Sequence, residues 1–206
     1  MIRRLLVPVF CGALVVAARA APTADPAHDP VWQELFRRLA PAGSRQVPFS
    51  EERYFPFRPR PLVLSGIVRI APGLGLSLEY RAPAARVVIV DPRGVLVREG
   101  GGQRAAPPDR RAQAATAALG AVLRFDPAEL ARDFLLRGDR QGDAWTLTLA
   151  PRDPALGGSL RSIVVSGNQA VLGRIELNAG IRIEIILGAP FEGAAFPAAD
   201  LARYFR

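Results

Sequence analysis

Residues able to do chemistry are few in this chain. His28 is the single histidine among 206 residues. No cysteine stands near it, and its neighbours Asp25 and Asp29 read as solvated or helix-capping carboxylates. Neither a metal site nor a Ser-His-Asp base is built from that set. Glu129 and Asp133 lie four apart near a helix start, where acids are favoured in any case. Asp139 and Asp143 flank a turn. Glycoside hydrolysis needs two carboxylates facing each other across a cleft. Cap and turn roles account for these four, and hydrolysis stays as a minor alternative. Gly100, Gly101 and Gly102 lack both the lysine and the strand-to-helix context of a phosphate loop, and they read as a hinge. The expectation is a protein that is not an enzyme and uses no metal and no cofactor.

The elements around those residues are mostly strands. "DPVWQELFRRLAPAG" is a helix: Asp29 caps it, Pro30 fits its first turn, and Val31, Trp32, Leu35, Phe36 and Leu39 share one face. "LVLSGIVRI" is a strand. In "LGLSLEYR", Leu74, Leu76, Leu78 and Tyr80 alternate with Gly75, Ser77, Glu79 and Arg81, so one face meets an apolar environment. "ARVVIVDPRGVLVRE" reads as two strands joined by a type I turn at residues 91–94. "GGGQRAAPPDRR" reads as a flexible break. Two helices are then predicted, over 111–125 and 126–137, the second with Leu130, Phe134 and Leu135 as its apolar face. "AWTLTLAP", "LRSIVVSG", "AVLGRIELN" and "IRIEIILG" are strands with antiparallel turn residues between them. "PAADLARYF" closes as a short helix. Helix, strands, two helices, strands is not the rhythm of a parallel sheet. The fold class expected is α+β: one curved antiparallel sheet, an incomplete barrel, with helices covering its concave face.

Composition sets the surroundings. "MIRR", a short apolar run and "ARA" form a secretory signal peptide over residues 1–20, too short to span a bilayer. Residues 21–206 follow as one domain, led by a Pro/Ala-rich stretch expected to be mobile. The single cysteine, Cys11, falls in the leader, so the exported part has no disulfide and relies on packing. All 27 basic residues are arginine. They are scattered, and removing Arg3, Arg4 and Arg19 lowers the formal charge from +8 to +5. Nucleic acid, which wants a basic stripe with stacking aromatics, is not an expected partner. A weak attraction to anionic head groups is.

Apolar residues recur at every second position: Phe49, Phe55, Phe57, Leu74, Leu76, Leu78, Tyr80, Trp145, Leu147 and Leu149. An ordinary core accounts for any one of them. A sheet that needs many strands but has few helices to cover it tends to curl and leave an apolar hollow.

At this point "FSEERYFPFRPRPLVLSGIVRI" gains a meaning. It resembles the early signature of the LolA-like family of periplasmic carriers, with an F-x-Q/E-x-R strand followed by Pro-Leu and a glycine. Those positions are Phe49, Glu51, Arg53, Pro61, Leu62 and Gly66. "LGLSLEYRAP" resembles the family's next strand. Residues 134–167 resemble its later helix, then a strand with Trp145, Leu147, Leu149 and Pro151 at alternate positions, then a strand ending in glycine. The resemblance runs over about residues 45–195 and points to divergent LolA-related members found with lipid or polyene-lipid biosynthesis. It implies a Gram-negative, periplasmic, monomeric carrier or chaperone. Such a carrier takes acyl chains of a lipid or lipoprotein from an inner-membrane exporter to an outer-membrane acceptor. A ligand-free envelope adaptor or assembly protein on the same fold is the alternative. Lipid-binding residues are then expected at the ten positions above and Leu64, with the helices of 111–137 as a lid hinged at Gly100–Gly102. The family's arginine before the proline that ends the Gly-led strand, which bonds to the lid, is Ala71 here. Three prolines in residues 55–61 suit a rim, with the arginines toward a membrane and the aromatics toward the hollow.

Overall fold

The computed structural model describes residues 25–40, 43–105, 118–158, 160–191 and 196–206. The expected leader and residues 106–117 lie outside the described residues. Helix α1 (Pro30–Leu39) starts at Asp29, whose side chain accepts from the Val31 N–H. Six strands follow: β1 (Arg45–Tyr54), β2 (Leu62–Ala71), β3 (Gly75–Ala82), β4 (Arg86–Asp91), β5 (Gly94–Glu99) and β6 (Gly102–Ala105). Helix α2 is described over residues 118–124 and α3 over Pro127–Asp133. Then come β7 (Phe134–Gln141), β8 (Ala144–Pro151), α4 (Pro154–Gly157), β9 (Leu160–Asn168), β10 (Val171–Ala179), β11 (Arg182–Leu187) and α5 (Ala198–Tyr204).

All eleven strands form one antiparallel sheet in the order β6-β5-β4-β3-β2-β1-β11-β10-β9-β8-β7. β1 pairs with β2 on one side and β11 on the other, which brings the first and last strands together at its centre. β6 and β7 are left as edges, so the barrel is incomplete.

Alternation decides what each face does. Leu76, Leu78 and Tyr80 of β3, Leu64, Val68 and Ile70 of β2, and Trp145, Leu147 and Leu149 of β8 join one core cluster. That cluster also holds Trp32, Phe36 and Leu39 of α1, Leu119 and Val122 of α2, and Leu130 of α3, so these three helices cover the concave face. An aromatic chain crosses the layer: Trp32 to Phe36 at 5.9 Å, Phe36 to Phe125 at 6.5 Å and Phe125 to Trp145 at 6.1 Å between ring centroids. Phe125, the knuckle between α2 and α3, has φ 49°, a left-handed conformation that a non-glycine residue holds only when its surroundings fix it.

Four sequence expectations are corrected. The helix expected over 126–137 ends at Asp133, because Phe134–Gln141 pairs along β8. Phe134 is buried on that strand, whereas Leu135 is 54% exposed. Gly100 and Gly101 are not a lid hinge. Their φ values of 59° and 80° form the turn of the β5–β6 hairpin, a geometry that favours glycine. The helices do not all lie on one face either. α5 packs on the convex side, where Tyr204 and Phe205 form a second cluster with Ala71. That cluster includes Leu74 as well, so Leu74 leaves the face of Leu76. Gly75, the first residue of β3, has φ 108°, which breaks the alternation between Leu74 and Leu76.

Candidate functional site

The covered concave face has three parts: an apolar wall, a cavity at one strand end and a polar cluster toward the other. Phe49, Leu64, Leu76, Leu78, Tyr80, Trp145, Leu147 and Leu149 are brought together in the wall, all of them buried. The Phe49 ring meets Tyr80 edge-on at 5.3 Å, and the Trp145 indole N–H donates to the Gln169 carbonyl at 2.9 Å. Ile163 and Val165 of β9, Ile175 and Leu177 of β10 and Ile185 of β11 complete the wall. These five were missed, although their strands carry the same period-two signal. Phe55 and Phe57 are not in the wall. Their rings meet at a tilt, 5.4 Å apart, on the loop between β1 and β2, with Phe57 80% exposed.

The cavity lies at the end of the sheet where β2 turns into β3 and β4 into β5. It measures 580 Å³ and is lined by Ile70, Ala71, Pro72, Gly73, Gly75, Val90, Asp91 and Pro92 from the sheet, by Ala40 after α1, and by Arg124 and Glu129 of the covering helices. Such a volume falls within the few hundred to about 1,000 Å³ of small-molecule sites. A narrower cleft of 90 Å³ beside it shares Ile70 and runs between Leu39, Leu123 and Phe125 and strands β1, β2 and β11. Ile70 and Val90 belong to the core cluster too, so the cavity borders the wall. Across it the Arg124 guanidinium donates to Glu129 at 2.7 Å and ties α2 to α3. Asp126 caps α3, accepting from the Ala128 and Glu129 N–H groups, both at 3.0 Å. Ala71, where the resemblance expects a lid-bonding arginine, lines the same cavity.

The polar cluster explains the F-x-E-x-R spacing. Phe49, Glu51 and Arg53 alternate on β1 and so share the concave face. Glu51 is 2% exposed. Its carboxylate accepts from the Arg53 Nε at 2.5 Å and from the Tyr80 hydroxyl at 2.8 Å. Burial, with the Glu51 charge added, pushes the Tyr80 phenol well above its ordinary range. Burial alone would lower the Arg53 guanidinium, but the Glu51 carboxylate overrides it and the net direction is up. The Arg86 guanidinium covers the other side of Tyr80, 4.4 Å from the ring centroid. This set holds charge in place. His28 bonds the exposed Asp25 at 3.3 Å. Among the described residues no group of three His, Cys, Asp or Glu side chains is arranged to hold a metal.

Among solved structures the chain is similar to a LolA superfamily protein from Nitrosomonas europaea, at 11% identity and a TM-score of 0.48, over 82% of this chain and 96% of that one. It is similar to a putative outer membrane lipoprotein-sorting protein domain from Vibrio parahaemolyticus, at 8% identity and a TM-score of 0.47, over 83% and 94%. It is similar as well to a chain of the MucA/MucB complex of Pseudomonas aeruginosa, at 20% identity and a TM-score of 0.45, over 86% and 60%. No curated protein matches the sequence. Residues 20–202 match the family described as outer membrane lipoprotein carrier protein LolA-like, and the chain belongs to that family.

Proposed function

We propose that the protein is a periplasmic carrier, taking the acyl chains of a lipid or lipidated cargo between α1–α3 and the sheet and moving it from inner to outer membrane. The observation that carries this reading is the 580 Å³ cavity that borders an apolar wall at Ile70 and Val90. Family membership supports it. An inner-membrane exporter and an outer-membrane acceptor are its partners in this reading, and export follows from the leader at residues 1–20. Burying an acyl chain of about 14 methylenes at about 0.8 kcal/mol each yields roughly 11 kcal/mol before costs, so release needs the helices to part. Arg124–Glu129 sits where that parting begins.

A second reading has its own observation. Leu76, Leu147 and Leu149 are 0% exposed, so the wall is fully roofed by its helices. That favours an envelope adaptor that holds no ligand. Mass spectrometry of lipid extracted from protein purified without detergent from its native envelope separates the two. The carrier reading expects stoichiometric lipid in the wild type and less of it in Val90→Phe, which narrows the cavity where it borders the wall. An aspartate at Leu76 or Leu78 would instead bury an unpaired charge and unfold the chain. No lipid in the wild type, or unchanged lipid in a folded Val90→Phe protein, overturns the carrier reading.

A further inference from the structure

The loop of residues 55–61 joins the two central strands at the end of the sheet opposite the cavity. Residues 56–60 are all exposed, and Phe57, at 80%, is the most exposed of the large hydrophobic side chains described. Three features make this more than a stray surface phenylalanine. The ring is held out: Phe55 packs against it at a tilt, the Arg58 N–H donates to the Phe55 carbonyl at 3.1 Å, and Pro56, Pro59 and Pro61 restrict the backbone. Its neighbours are uncompensated cations: among the described residues no hydrogen bond or ion pair joins the side chain of Arg58 or Arg60 to another residue. No aspartate or glutamate occurs from Arg53 through Leu78, so the loop's own sequence offers them no counter-charge.

A protruding aromatic flanked by free arginines is complementary to one kind of surface, an anionic bilayer. There the ring sits at the boundary between head groups and acyl chains, and the guanidiniums meet phosphates. We propose that residues 55–61 dock the protein on an anionic lipid surface, with Phe57 inserted at the interface and Arg58 and Arg60 on lipid phosphates. Docking through this loop sets the strand end that bears Arg53 against the membrane and leaves the cavity at the far end. It does not depend on the cargo.

The test is flotation of the full exported chain with vesicles of phosphatidylglycerol and phosphatidylcholine in equal parts, and with phosphatidylcholine alone, at low and high salt. Wild type binds the anionic vesicles, and high salt weakens binding. Phe57→Ser lowers affinity about tenfold or more. The double variant Arg58→Gln/Arg60→Gln lowers it roughly thirtyfold on anionic vesicles only, at about 1 kcal/mol per arginine. Phe191→Ser removes another exposed ring, 50% exposed and bonded to Gln46 at the opposite strand end, and leaves binding unchanged. Phe57→Trp gives a second readout: its emission shifts to the blue when anionic vesicles are added. Wild type that leaves anionic vesicles unbound at low salt overturns the proposal. So do loop variants that bind like wild type, the result expected if the loop's partner is a protein. Lipid content of the same variants is measured separately, so vesicle binding without bound lipid overturns the carrier reading alone.

Discussion

Glu51 shows how a single residue organises the concave face. A buried carboxylate is costly unless its charge is balanced and its lone pairs are used, and here Arg53 and Tyr80 supply both. Glu51→Ala leaves the arginine and the phenol without their acceptor among apolar neighbours. We expect a loss of about 3 kcal/mol, read by urea denaturation, with a smaller loss of about 1 kcal/mol for Glu51→Gln, which keeps an acceptor. Equal stability of the Ala variant and wild type would mean that the cluster is solvated. The family resemblance picked out positions 49, 51 and 53, and a strand's period of two puts them on one side. The aim of Phe57 was not legible in the sequence. Alternation stops where β1 ends at Tyr54, and beyond that point a proline-rich loop and not a pleat sets the direction of a side chain.

At the level of elements, the covering helices depend on small residues beneath them. A Cβ built on Gly138 of β7 would fall 2.2 Å from the Trp32 ring, so α1 lies directly on that strand. Gly138→Ala must displace the indole, which is fixed through Phe36 to Phe125. The expected cost is about 1–3 kcal/mol, as for overpacking in general. It should appear as lowered stability together with faster hydrogen exchange in α1. A variant as stable as wild type, with exchange unchanged, would show that α1 shifts freely. The same segment marks where sequence reading failed. In "DPAELARDFLLRG", Leu130 and Phe134 stand four apart, as on a helix, while Phe134, Leu136 and Gly138 alternate, as in a strand. Only pairing with β8, several residues further on, selects the strand. The alternating segments of β3, β8 and β9 were legible for the opposite reason: each is long enough to carry its period by itself. The cavity was illegible because its lining comes from two turns and three helices far apart in sequence.

For the molecule as a whole, one half of the sheet is backed by α5 through charge as much as through packing. Arg206 holds Asp91 with two bonds of 2.6 and 2.7 Å. Arg98 donates to the carbonyls of Ala202 and Arg203, both at 2.7 Å. On the same convex face Glu79 accepts from Arg69 at 2.9 Å and from the Tyr204 hydroxyl at 3.3 Å. The Arg206 bond, followed by the Arg93 contacts and against the effect of burial, holds the Asp91 carboxyl below its ordinary value of 3.8. Burial pushes Glu79 up, but Arg69 and Arg81 together outweigh it, and its carboxyl lies below 4.5. Both folded-state values are depressed, so the stability they contribute is fully present above the ordinary carboxylate values and is lost as pH falls through the depressed ones. Cooling and heating scans should therefore show constant stability from neutral pH down to about pH 5 from this source and a decline below about pH 4. Hydrogen exchange places the loss. Amides of α5 should open first in acid, while those of β8 to β10, whose wall is apolar and holds no such carboxylate, keep their protection. Asp91→Asn should weaken α5 at neutral pH and flatten part of the acid decline, because the group that titrates is gone. An acid profile identical in Asp91→Asn and wild type would show that the Arg206–Asp91 pair does not hold α5, leaving that role to Arg98, Glu79 and the packing of Tyr204 and Phe205.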